Sequence, residues 1–600
     1  MATEATPQAA AARVPSERAR TIGRVWRDAV SAGRADPAYL VERDDGWRPV
    51  SWQDADRRVD ELAHGLLALG LRKGDRLALL GATRLEWALV DLAANLVGVV
   101  VVPLYPTSSA RDCGYILSHS GTKVAVVEDD VQRAKLESVR EVAPLDHLLT
   151  FPDLDALAER GRAHREEHPQ AVGEALAALS EEDVLMIVYT SGTTGPPKGC
   201  VLLQRNYVAV VDALDEMREL NQPGDVFLLF LPLAHSYAQL VLYAGAAIGY
   251  TVAFLPDMTR IADAAQAVRP TSMPSVPRVY EKVHAAVVAQ FDAATGVKRR
   301  LIDWALAVGR RVSALRREDR AVPRGLAFQH RLADRLVYSK VKARLGGRLR
   351  YGISGAAPIA AQILEFFHAL DILVLEGYGL TESSSGCSVN RPSRYRFGTV
   401  GRPLPGVEVR IDEDGEILIR GDNVFAGYYR EEEATLAALT EDGWLRTGDV
   451  GELDPDGFLR ITDRKKDILV TAGGKNVSPQ NIETDLKTSK YVSQALVVGD
   501  RRPYVAALVT LDEPEVRRWA EERGLTGSSA ELAASDDVRG LIQEVVDRAN
   551  RERGRVEQVK RFRVLPRDFS QEDGELTPTM KVRRRVCEQH FAAEIEALYS

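Results

Sequence analysis

Short apolar runs that alternate with helical patterns restrict the fold of this chain more than any other feature. The alternation continues through roughly the first three quarters of the sequence and is typical of parallel sheets covered by helices. We therefore predict an α/β fold. The predicted strands are Arg76–Leu80, Val99–Pro103, Lys123–Glu128, Val184–Val188, Val226–Leu231, Thr251–Leu255, Leu349–Gly352 and Ile372–Leu375.

The domain organisation follows from length and from changes in sequence texture. A chain of 600 residues is too long for one core, so at least two domains are expected. After about Gly398 the pattern changes to short strands and Asp-Gly turns, which predicts a small β-rich subdomain. The charge run Asp463–Asp467 marks a boundary. We predict a disordered tail over residues 1–20, a large N-terminal domain over 21–464 and a small α+β C-terminal domain over 465–600.

One stretch of the sequence, residues 226–256, contains no Asp, Glu, Lys or Arg and is long enough to span a membrane. Pro232 and neighbouring polar residues interrupt it. The stretch divides better into a strand, a helix over about Tyr237–Ile248 and a second strand. We interpret it as a buried helix in a large α/β core, with a membrane span as the alternative.

Composition excludes some classes of protein. The net charge of −8 gives no reason to expect nucleic acid as a partner. The four cysteines have neither metal-ligand nor disulfide spacing and are typical of a reducing compartment. The segment Met1–Val14 has no apolar core like that of a signal peptide. We expect a cytoplasmic protein.

A loop rich in glycine and hydroxyl groups follows the apolar run Val184–Val188. Glycines let backbone N–H groups approach a phosphate closely, hydroxyls add donors, and Lys198 adds a positive charge. The pattern differs from the Walker loop because Gly199 follows the lysine. The alternative is a flexible linker. The candidate polyphosphate-binding residues are Thr190, Ser191, Gly192, Thr193, Thr194, Gly195 and Lys198.

The second cluster, Gly377-Tyr378-Gly379-Leu380-Thr381-Glu382, follows the strand Ile372–Leu375. The Tyr378 ring beside glycines can lie against a nucleobase, Thr381 can donate to an α-phosphate, and Glu382 can hold Mg²⁺. A helix start with Thr381 as its cap is the alternative.

Two further segments fit a nucleotide. Gly355 and Ala356 follow another strand and could form a flat wall for adenine, although an ordinary strand-to-helix turn has the same pattern. Asp449 closes a turn, and a carboxylate there can accept both ribose hydroxyls. Arg464 can pair with the ribose or with a phosphate. A plain β-turn aspartate is the alternative for Asp449.

The C-terminal part carries two more candidates. Gly473–Pro479 is a glycine-rich loop that opens a helix, and it contains Lys475. Thr577–Lys581 ends in Lys581, ahead of three consecutive arginines, Arg583–Arg585. Taken alone, Lys581 is typical of a solvated basic face.

Taken in order, these segments resemble the successive core motifs of the acyl-CoA synthetase branch of the adenylate-forming (acyl-AMP) superfamily. The resemblance spans roughly residues 45–590. Two segments are particularly similar to long-chain fatty acid–CoA ligases: the string from Thr447-Gly448-Asp449 through Asp463–Asp467, and Arg501–Tyr504. The family implies an N-terminal adenylation (AMP-binding) domain and a mobile C-terminal domain.

The resemblance implies a two-step ligase that uses ATP, Mg²⁺ and coenzyme A. The first step converts a fatty acid and ATP to acyl-AMP and pyrophosphate, and CoA then gives acyl-CoA and AMP. Lys198 and the 190–195 loop would hold the phosphates, with Glu382 and Thr190 at the metal. Lys581 would bridge the carboxylate and the α-phosphate. Lys466 would be the pivot that exchanges Lys581 for the Gly473–Pro479 loop.

The substrate end of the predicted site is less specific. We expect His235, Tyr237 and Gly379 to contact the fatty acid, with an acyl tunnel beside His235–Ile248, while a buried histidine in a satisfied environment is the alternative for His235. Two other enzymatic readings stay open, an acyl-AMP ligase that passes the acyl group to a carrier protein and a CoA ligase for another hydrophobic acid. A membrane-bound lipid carrier is the non-enzymatic alternative.

The sequence departs from the family in two places. The loop Gly473–Val477 reads Gly-Gly-Lys-Asn-Val, whereas family members often carry an aromatic or another charged residue in this loop. Eukaryotic long-chain ligases often carry an N-terminal membrane anchor, and none is recognisable here, so we expect any membrane contact to be peripheral. The candidate contact is a helix over residues 297–317, whose alternative role is to pack on the core. Its apolar face would be Val297, Leu301, Trp304, Val308, Val312 and Leu315.

Overall fold

Two large sheets and the helices around them make up most of the protein, as seen in a computed structural model. The structure describes residues 20–190, 196–551, 553–577 and 581–600. The helices are α1 (Ile22–Ser31), α2 (Trp52–Ala68), α3 (Leu85–Val97), α4 (Ala110–Ser120), α5 (Asp130–Glu137), α6 (Leu154–Glu167), α7 (Ala171–Ala177), α8 (Gln204–Glu216), α9 (Ser236–Ile248), α10 (Ile261–Val268), α11 (Pro277–Asp292), α12 (Gly296–Arg317), α13 (Arg324–Ala333), α14 (Ser339–Arg344), α15 (Ala361–Ala369), α16 (Glu432–Ala438), α17 (Pro479–Leu486), α18 (Glu513–Glu521), α19 (Ser529–Ala534), α20 (Asp536–Asn550), α21 (Arg584–His590) and α22 (Ala592–Ala597).

The strands are short, and most of them lie in the first three quarters of the chain. They are β1 (Tyr39–Arg43), β2 (Gly46–Val50), β3 (Arg76–Leu80), β4 (Val100–Leu104), β5 (Val124–Val127), β6 (His147–Thr150), β7 (Val184–Thr190), β8 (Lys198–Leu203), β9 (Val226–Leu229), β10 (Thr251–Phe254), β11 (Ser272–Ser275), β12 (Tyr351–Ser354), β13 (Val374–Tyr378), β14 (Ser388–Val389), β15 (Arg402–Pro403), β16 (Glu408–Ile411), β17 (Glu416–Arg420), β18 (Gly427–Tyr428), β19 (Leu445–Leu453), β20 (Leu459–Arg464), β21 (Leu469–Val470), β22 (Asn476–Val477), β23 (Val492–Val498), β24 (Val505–Leu511) and β25 (Val559–Val564).

Both large sheets are parallel through their centres, which confirms the predicted α/β fold. In the seven-stranded sheet, β7, β4, β3, β5 and β6 run parallel, and β8 and β18 add an antiparallel edge. In the nine-stranded sheet, β1, β10, β9, β11, β12 and β13 run parallel, with β2, β14 and β15 antiparallel at its two edges. The carboxyl ends of β12 and β13 lie side by side, which is where an open α/β sheet places a ligand.

The uncharged stretch of the sequence is a buried strand–helix–strand unit, as predicted. It contains β9, α9 and β10. Every residue of α9 except Tyr237 and Ala247 is buried, so this helix needs apolar residues on all its faces. In the part of the chain that the structure describes, no helix has both the length and the apolarity needed to cross a membrane.

The later part of the chain is β-rich and then α+β, again as predicted. Strands β16, β17, β19 and β20 form an antiparallel four-stranded sheet. Beyond it, β23, β24 and β25 form a separate sheet. The largest core cluster extends along the chain from Ile22 to Leu459, whereas the two C-terminal clusters begin at Leu469 and Leu496. The residue-level domain boundaries stay predictions.

A turn connects the β-rich sheet to the C-terminal part. The backbone N–H groups of Asp467 and Ile468 donate to the Arg464 carbonyl at 2.9 and 3.2 Å. The two parts also touch elsewhere, since the Ser478 hydroxyl donates to the Thr462 carbonyl at 3.1 Å. The C-terminal part is therefore held against the end of β20 in this structure.

The helix predicted over residues 297–317 is α12. Val308 and Val312 of its apolar face are buried, and Leu301, Trp304 and Leu315 pack partly buried against the core. Val297 alone of the six is well exposed, at 82%. Most of this face therefore serves core packing, and a role for α12 at a membrane stays a prediction.

Candidate active site

The two ends of the phosphate loop are fixed by an antiparallel pair of strands. Thr190 ends β7 and Lys198 begins β8, and the two residues are direct partners in the ladder. The two ends of the loop therefore lie side by side in the sheet. Five predicted phosphate-binding residues of this loop lie outside the described residues: Ser191, Gly192, Thr193, Thr194 and Gly195.

Lys198 and Glu382 both contact Tyr428, a residue that the sequence analysis missed. The Lys198 ammonium lies 5.2 Å from the centre of the Tyr428 ring, a cation–π arrangement. The Tyr428 hydroxyl donates to Oε1 of Glu382 at 2.8 Å. Burial and the Glu382 charge raise the pKa of Tyr428, so the hydroxyl stays a donor. The structure thus brings Lys198 and Glu382 to one tyrosine, with Thr190 beside Lys198 in the ladder.

The donor set around Glu382 fits Mg²⁺ only if the substrate contributes ligands. Among the described residues, no group of three or more His, Cys, Asp or Glu side chains could hold a metal ion. Oε1 of Glu382 accepts a hydrogen bond from the Tyr428 hydroxyl, which orients the carboxylate. Mg²⁺ is commonly bound by one or two carboxylates together with substrate phosphates and water, so a single carboxylate beside a phosphate loop is sufficient.

A cavity of about 720 Å³ opens beside the ends of β12 and β13 and reaches the C-terminal part. A cavity of this size can enclose a nucleotide. The predicted site residues that line it are Ala356, Gly377, Tyr378, Gly379, Asp449, Arg464 and Lys581.

Asp449 is already held by two partners at the base of this cavity. Its carboxylate accepts from the Tyr378 hydroxyl at 2.6 Å and lies 3.2 Å from Nε of Arg464. The pairing of β19 with β20 sets Asp449 directly opposite Arg464. Asp449 is 4% exposed, so its position depends on these partners rather than on water. The carboxylate is preorganised to receive hydroxyl groups.

The segment predicted as an adenine wall runs close to β13. A Cβ added to Gly355 would lie 3.7 Å from both the Gly377 carbonyl and the Tyr237 ring. Ala356 follows with φ of 68°, a left-handed conformation that costs a residue with a side chain some strain. Such outliers cluster at ligand sites. Packing requires glycine at position 379, because a Cβ there would lie 2.2 Å from the Ser385 carbonyl oxygen.

Glu376 lines the cavity and is the second residue that the sequence analysis missed. It lies in β13, is 7% exposed, and accepts from the Gly398 backbone N–H at 3.0 Å. Burial raises the pKa of its carboxyl to about 8, so the group is largely protonated at neutral pH. A neutral carboxyl can both donate and accept a hydrogen bond inside the cavity. An acidic residue within an otherwise apolar strand is the sequence signal that could have identified it.

Lys581 projects into the cavity from a short hairpin of the C-terminal part. Leu576 and Val582 form an antiparallel bridge, and the Thr577 N–H donates to the Lys581 carbonyl at 2.8 Å. The side chain is exposed to the cavity while the cleft walls surround it. Burial in the cleft and the Arg464 charge lower the pKa of Lys581 to about 8, against the opposing effect of Asp449 and Glu382. Residues 578–580 lie outside the part of the chain that the structure describes.

The base of this hairpin is held by a buried carboxylate, Glu575. It is 0% exposed and accepts from Arg567 at 2.6 and 2.7 Å, from His590 at 3.0 Å and from the Ser570 N–H at 2.9 Å. Burial by itself raises the pKa of Glu575, but these hydrogen bonds outweigh it and lower the pKa to about 2. A fully paired carboxylate therefore fixes the hairpin that presents Lys581.

Two of the three predicted substrate residues, His235 and Tyr237, lie at the start of α9. Nδ1 of His235 accepts from the Tyr237 N–H at 3.1 Å and caps the helix. Burial and the nearby Lys581 charge lower the pKa of His235 to about 4, so the imidazole is neutral at pH 7. Ser236 lies 3.5 Å from the Thr381 hydroxyl, which joins α9 to the phosphate side. The Tyr237 hydroxyl is buried and has no partner among the described residues.

Two predicted residues lie apart from the cavity. Lys475 is exposed in the turn between β21 and β22, where Gly474 N–H donates to the Thr471 carbonyl at 2.8 Å. Lys466 is exposed in the turn that follows β20. Of the two C-terminal motifs, only the hairpin of Lys581 reaches the cavity in this structure.

Comparison with known families accounts for this arrangement. The model of the family described as "AMP-binding enzyme" matches residues 3–429, and that described as "AMP-binding enzyme C-terminal domain" matches residues 466–600. The chain belongs to the AMP-binding enzyme family. The family confirms the resemblance to the adenylate-forming superfamily that the motifs indicated.

Named relatives extend over nearly the whole chain. The long-chain-fatty-acid–CoA ligase FadD15 of Mycobacterium tuberculosis is 40% identical over 581 residues, which is 94% of this chain and 95% of the relative. The long-chain-fatty-acid–CoA ligase 1 of Cavia porcellus is 32% identical over 624 residues, covering 97% and 87% of the two chains.

Solved structures share the fold at lower identity. A Mycobacterium tuberculosis fatty acyl CoA synthetase has a TM-score of 0.61 at 23% identity, covering 96% of this chain and 99% of that one. The adenylation domain of a carboxylate reductase from Mycobacterium chelonae has a TM-score of 0.73 at 24% identity, with 97% and 91% covered. These likenesses concern the fold alone.

Proposed function

We propose that this protein is an ATP-dependent fatty acid–CoA ligase acting on long-chain acids. The observation that carries the proposal is the convergence of Lys581, Asp449 and Arg464 on one cavity, which opens beside the Lys198–Glu382 cluster. The names of the relatives at 40% and 32% identity support the same activity. The domain boundaries at residues 20/21 and 464/465 belong to this proposal.

The first half-reaction activates the carboxylate. A carboxylate is a poor electrophile because its leaving group would be oxide. Attack of a carboxylate oxygen on the α-phosphorus of ATP forms a C–O–P anhydride and breaks the bond to the β-phosphate oxygen, so that pyrophosphate leaves. Lys581 would lie between the carboxylate and the α-phosphate, and Lys198 would hold the outer phosphates. Both cations stabilise charge that develops in the transition state.

The nucleoside would occupy the cavity with its ribose at Asp449. The ribose hydroxyls would donate to the Asp449 carboxylate, which Tyr378 and Arg464 already orient. The adenine would lie between Tyr378 and the wall of Gly355 and Ala356, within reach of Glu376. Mg²⁺, when bound at Glu382 with the aid of Thr190 and the phosphates, supplies charge neutralisation.

The second half-reaction requires a different face of the C-terminal domain. The thiol of CoA would attack the acyl carbon of acyl-AMP, form the thioester and release AMP. The Gly473–Pro479 loop with Lys475 lies outside the cavity in this structure, so a rotation at Lys466 would have to bring it in. His235, Tyr237 and Gly379 would lie near the acyl end, and neutral His235 adds no charge there.

Acid-dependent exchange of pyrophosphate into ATP tests the first step, and detection of acyl-CoA after CoA is added tests the second. A series of acids from short to long chain tests the substrate class. Exchange without thioester would favour the acyl-AMP ligase that serves a carrier protein. Full activity only with a non-fatty hydrophobic acid would favour the other CoA ligase. Absence of exchange with every acid would reject the proposal, and Lys581→Ala serves as the inactive control.

A further inference from the structure

A continuous basic and apolar face lies on α13 and α14, next to the helix that the sequence analysis considered. Between residues 324 and 348 the sequence has seven Lys and Arg residues and one acidic residue, Asp334, although the whole chain carries a net charge of −8. The same segment exposes two large apolar side chains, Phe328 at 66% and Leu332 at 41%. We call the outward side of this segment the α13–α14 face; its residues are Arg324, Phe328, Arg331, Leu332, Arg335, Lys340 and Arg344.

A π-turn keeps these residues on one side. Between α13 and α14 the chain forms a π-turn over Asp334–Tyr338, in which the Ser339 N–H donates to the carbonyl five residues earlier, that of Asp334. One extra residue in a turn rotates all later positions by about 100°. Without it, Lys340 and Arg344 would point away from Arg335. With it, all three are exposed while Val337 and Val341 are buried.

The basic residues of the α13–α14 face are not used in ion pairs. In the part of the chain that the structure describes, none of its five Arg and Lys side chains has an acidic partner within 4.0 Å. Lys342 points away from this face, and its ammonium forms ion pairs with the carboxylates of Asp334 and Asp371, each at 2.8 Å. The one acidic residue of the segment, Asp334, therefore forms its ion pair with a lysine outside the face.

Helix α12 differs in this respect. Arg299 pairs with Asp292 and Asp303, Arg316 pairs with Asp371, and Arg317 pairs with Glu365. Its apolar stripe is largely covered by the core. On α12 three of the arginines are paired and only Val297 of the apolar face is well exposed, whereas, among the described residues, the α13–α14 face combines five unpaired cations with the two exposed side chains Phe328 and Leu332.

We propose that the α13–α14 face docks on an anionic lipid surface, with Phe328 and Leu332 entering the headgroup region and the surrounding cations facing lipid phosphates. Charge complementarity selects this occupant, because an unpaired basic stripe on an acidic protein is attracted to anionic lipid and gains from a buried aromatic anchor. The proposal goes beyond the ligase activity and does not depend on it. A surface of this kind brings the enzyme to the phase where long acyl chains partition.

The test is sedimentation of the full chain with phosphatidylcholine vesicles that contain or lack phosphatidylglycerol, at low and high salt. The main variant changes Arg324, Arg331, Arg335 and Lys340 to Gln. A matched control makes the same change in charge on α12, at Lys298, Arg300, Arg310 and Arg311. Each cation near such a surface strengthens binding by roughly fivefold, so the main variant should bind anionic vesicles at least about tenfold more weakly. The control should keep most of the binding.

A second variant, Phe328→Ser with Leu332→Ser, separates the apolar contribution. It should weaken binding by a few-fold and make the remaining binding more sensitive to salt, because only the screened electrostatic part is left. Pyrophosphate exchange with a short soluble acid should be unchanged in every variant, which shows that each one is folded.

Three results would overturn the proposal. They are failure of the wild type to bind anionic vesicles, unchanged binding by the α13–α14 variants, and equal loss in the α12 control. The last would show a response to net charge rather than to this face. A wild type that binds polyanionic nucleic acid or an acidic protein but not vesicles falls under the first result.

Discussion

Two loops of the C-terminal part each carry a lysine, but only one of these loops lies in the cavity. The hairpin of Lys581 lies in the cavity beside Asp449 and Arg464, and the paired carboxylate of Glu575 holds its base. The loop of Lys475 lies in solvent outside the cavity. Under the proposed function, we expect this structure to correspond to the first half-reaction, because Lys581 lies in the cavity and Lys475 does not. On the same proposal, each lysine acts in only one of the two steps.

The largest expected effect comes from removing the lysine inside the cavity. Lys581→Ala should slow pyrophosphate exchange by about a thousandfold, the scale at which loss of one charge-stabilising contact is felt. It should leave thioester formation from presynthesised acyl-AMP within a few-fold of wild type. Lys475→Ala is the matched control and should show the reverse preference, with a smaller loss. Equal losses in both half-reactions of Lys581→Ala would break the comparison.

A change in the turn after β20 tests whether the two loops exchange places. Lys466→Pro fixes one backbone dihedral angle and restricts Lys465 as well. We expect thioester formation to fall at least about tenfold while pyrophosphate exchange changes little, because Lys581 already lies in the cavity in this structure. Lys466→Ala controls for loss of the side chain. If the proline variant forms thioester at the wild-type rate, Lys466 is not the pivot.

The pH dependence of the first step should depend on Lys581. Its pKa of about 8 lies below the ordinary value for lysine, so the free enzyme loses this charge as pH rises through 8. The kcat/KM for ATP in pyrophosphate exchange should therefore fall above pH 8, approaching tenfold for each further unit. Lys581→Arg keeps its charge and should show a flat profile at lower activity. A wild-type profile that is flat from pH 7 to pH 10 would contradict the assignment.

A smaller effect is expected at the proposed metal ligand. Glu382→Gln should raise the Mg²⁺ concentration needed for half-maximal pyrophosphate exchange several-fold, because a neutral amide is a weaker ligand than a carboxylate. Tyr428→Phe removes only the hydrogen bond that orients Glu382 and should give a milder shift in the same direction. An unchanged Mg²⁺ requirement in Glu382→Gln would return this residue to a structural role.

The smallest effect concerns Glu376, which both half-reactions would share. Its folded-state pKa is raised to about 8 by burial, from an ordinary value of 4.5. The folded protein therefore loses stability relative to the unfolded chain as pH rises from about 4.5 to 8. Glu376→Gln removes this loss, so its thermal midpoint should exceed that of wild type by roughly 2 °C or more at pH 8 and by less at pH 5. A difference that does not grow with pH would contradict the raised pKa.

The parts of the fold that depend on local pattern were predictable. The strand Arg76–Leu80 is β3 as predicted, and the buried helix is α9 with one additional residue at its start. Strands near the cavity were displaced, since the prediction Ile372–Leu375 became β13 at Val374–Tyr378. The displacement arises because β13 is defined by its pairing with β12 and β14, which the local sequence does not contain.

The site was predictable only where motifs carry it. The resemblance led to Asp449 and Lys581, which lie more than a hundred residues apart in sequence and share a cavity. Tyr428 and Glu376 were missed because their roles arise from tertiary contacts, a cation on one ring and a carboxyl shielded from water. Whether each site residue has its assigned role stays a prediction until the variants are measured.

Arg464 makes two different contacts at once, one through its side chain and one through its backbone carbonyl. Its guanidinium holds Asp449, and its carbonyl receives the N–H groups of the turn that carries Lys466. A nucleoside that drew Asp449 toward its ribose would act on Arg464, whose carbonyl also accepts the hydrogen bonds of the turn. In that case the affinity for the nucleotide and the conformation of the turn after β20 would be linked, and such linkage is reciprocal. We expect ATP to bias the turn by the same factor by which a fixed turn changes the dissociation constant of ATP.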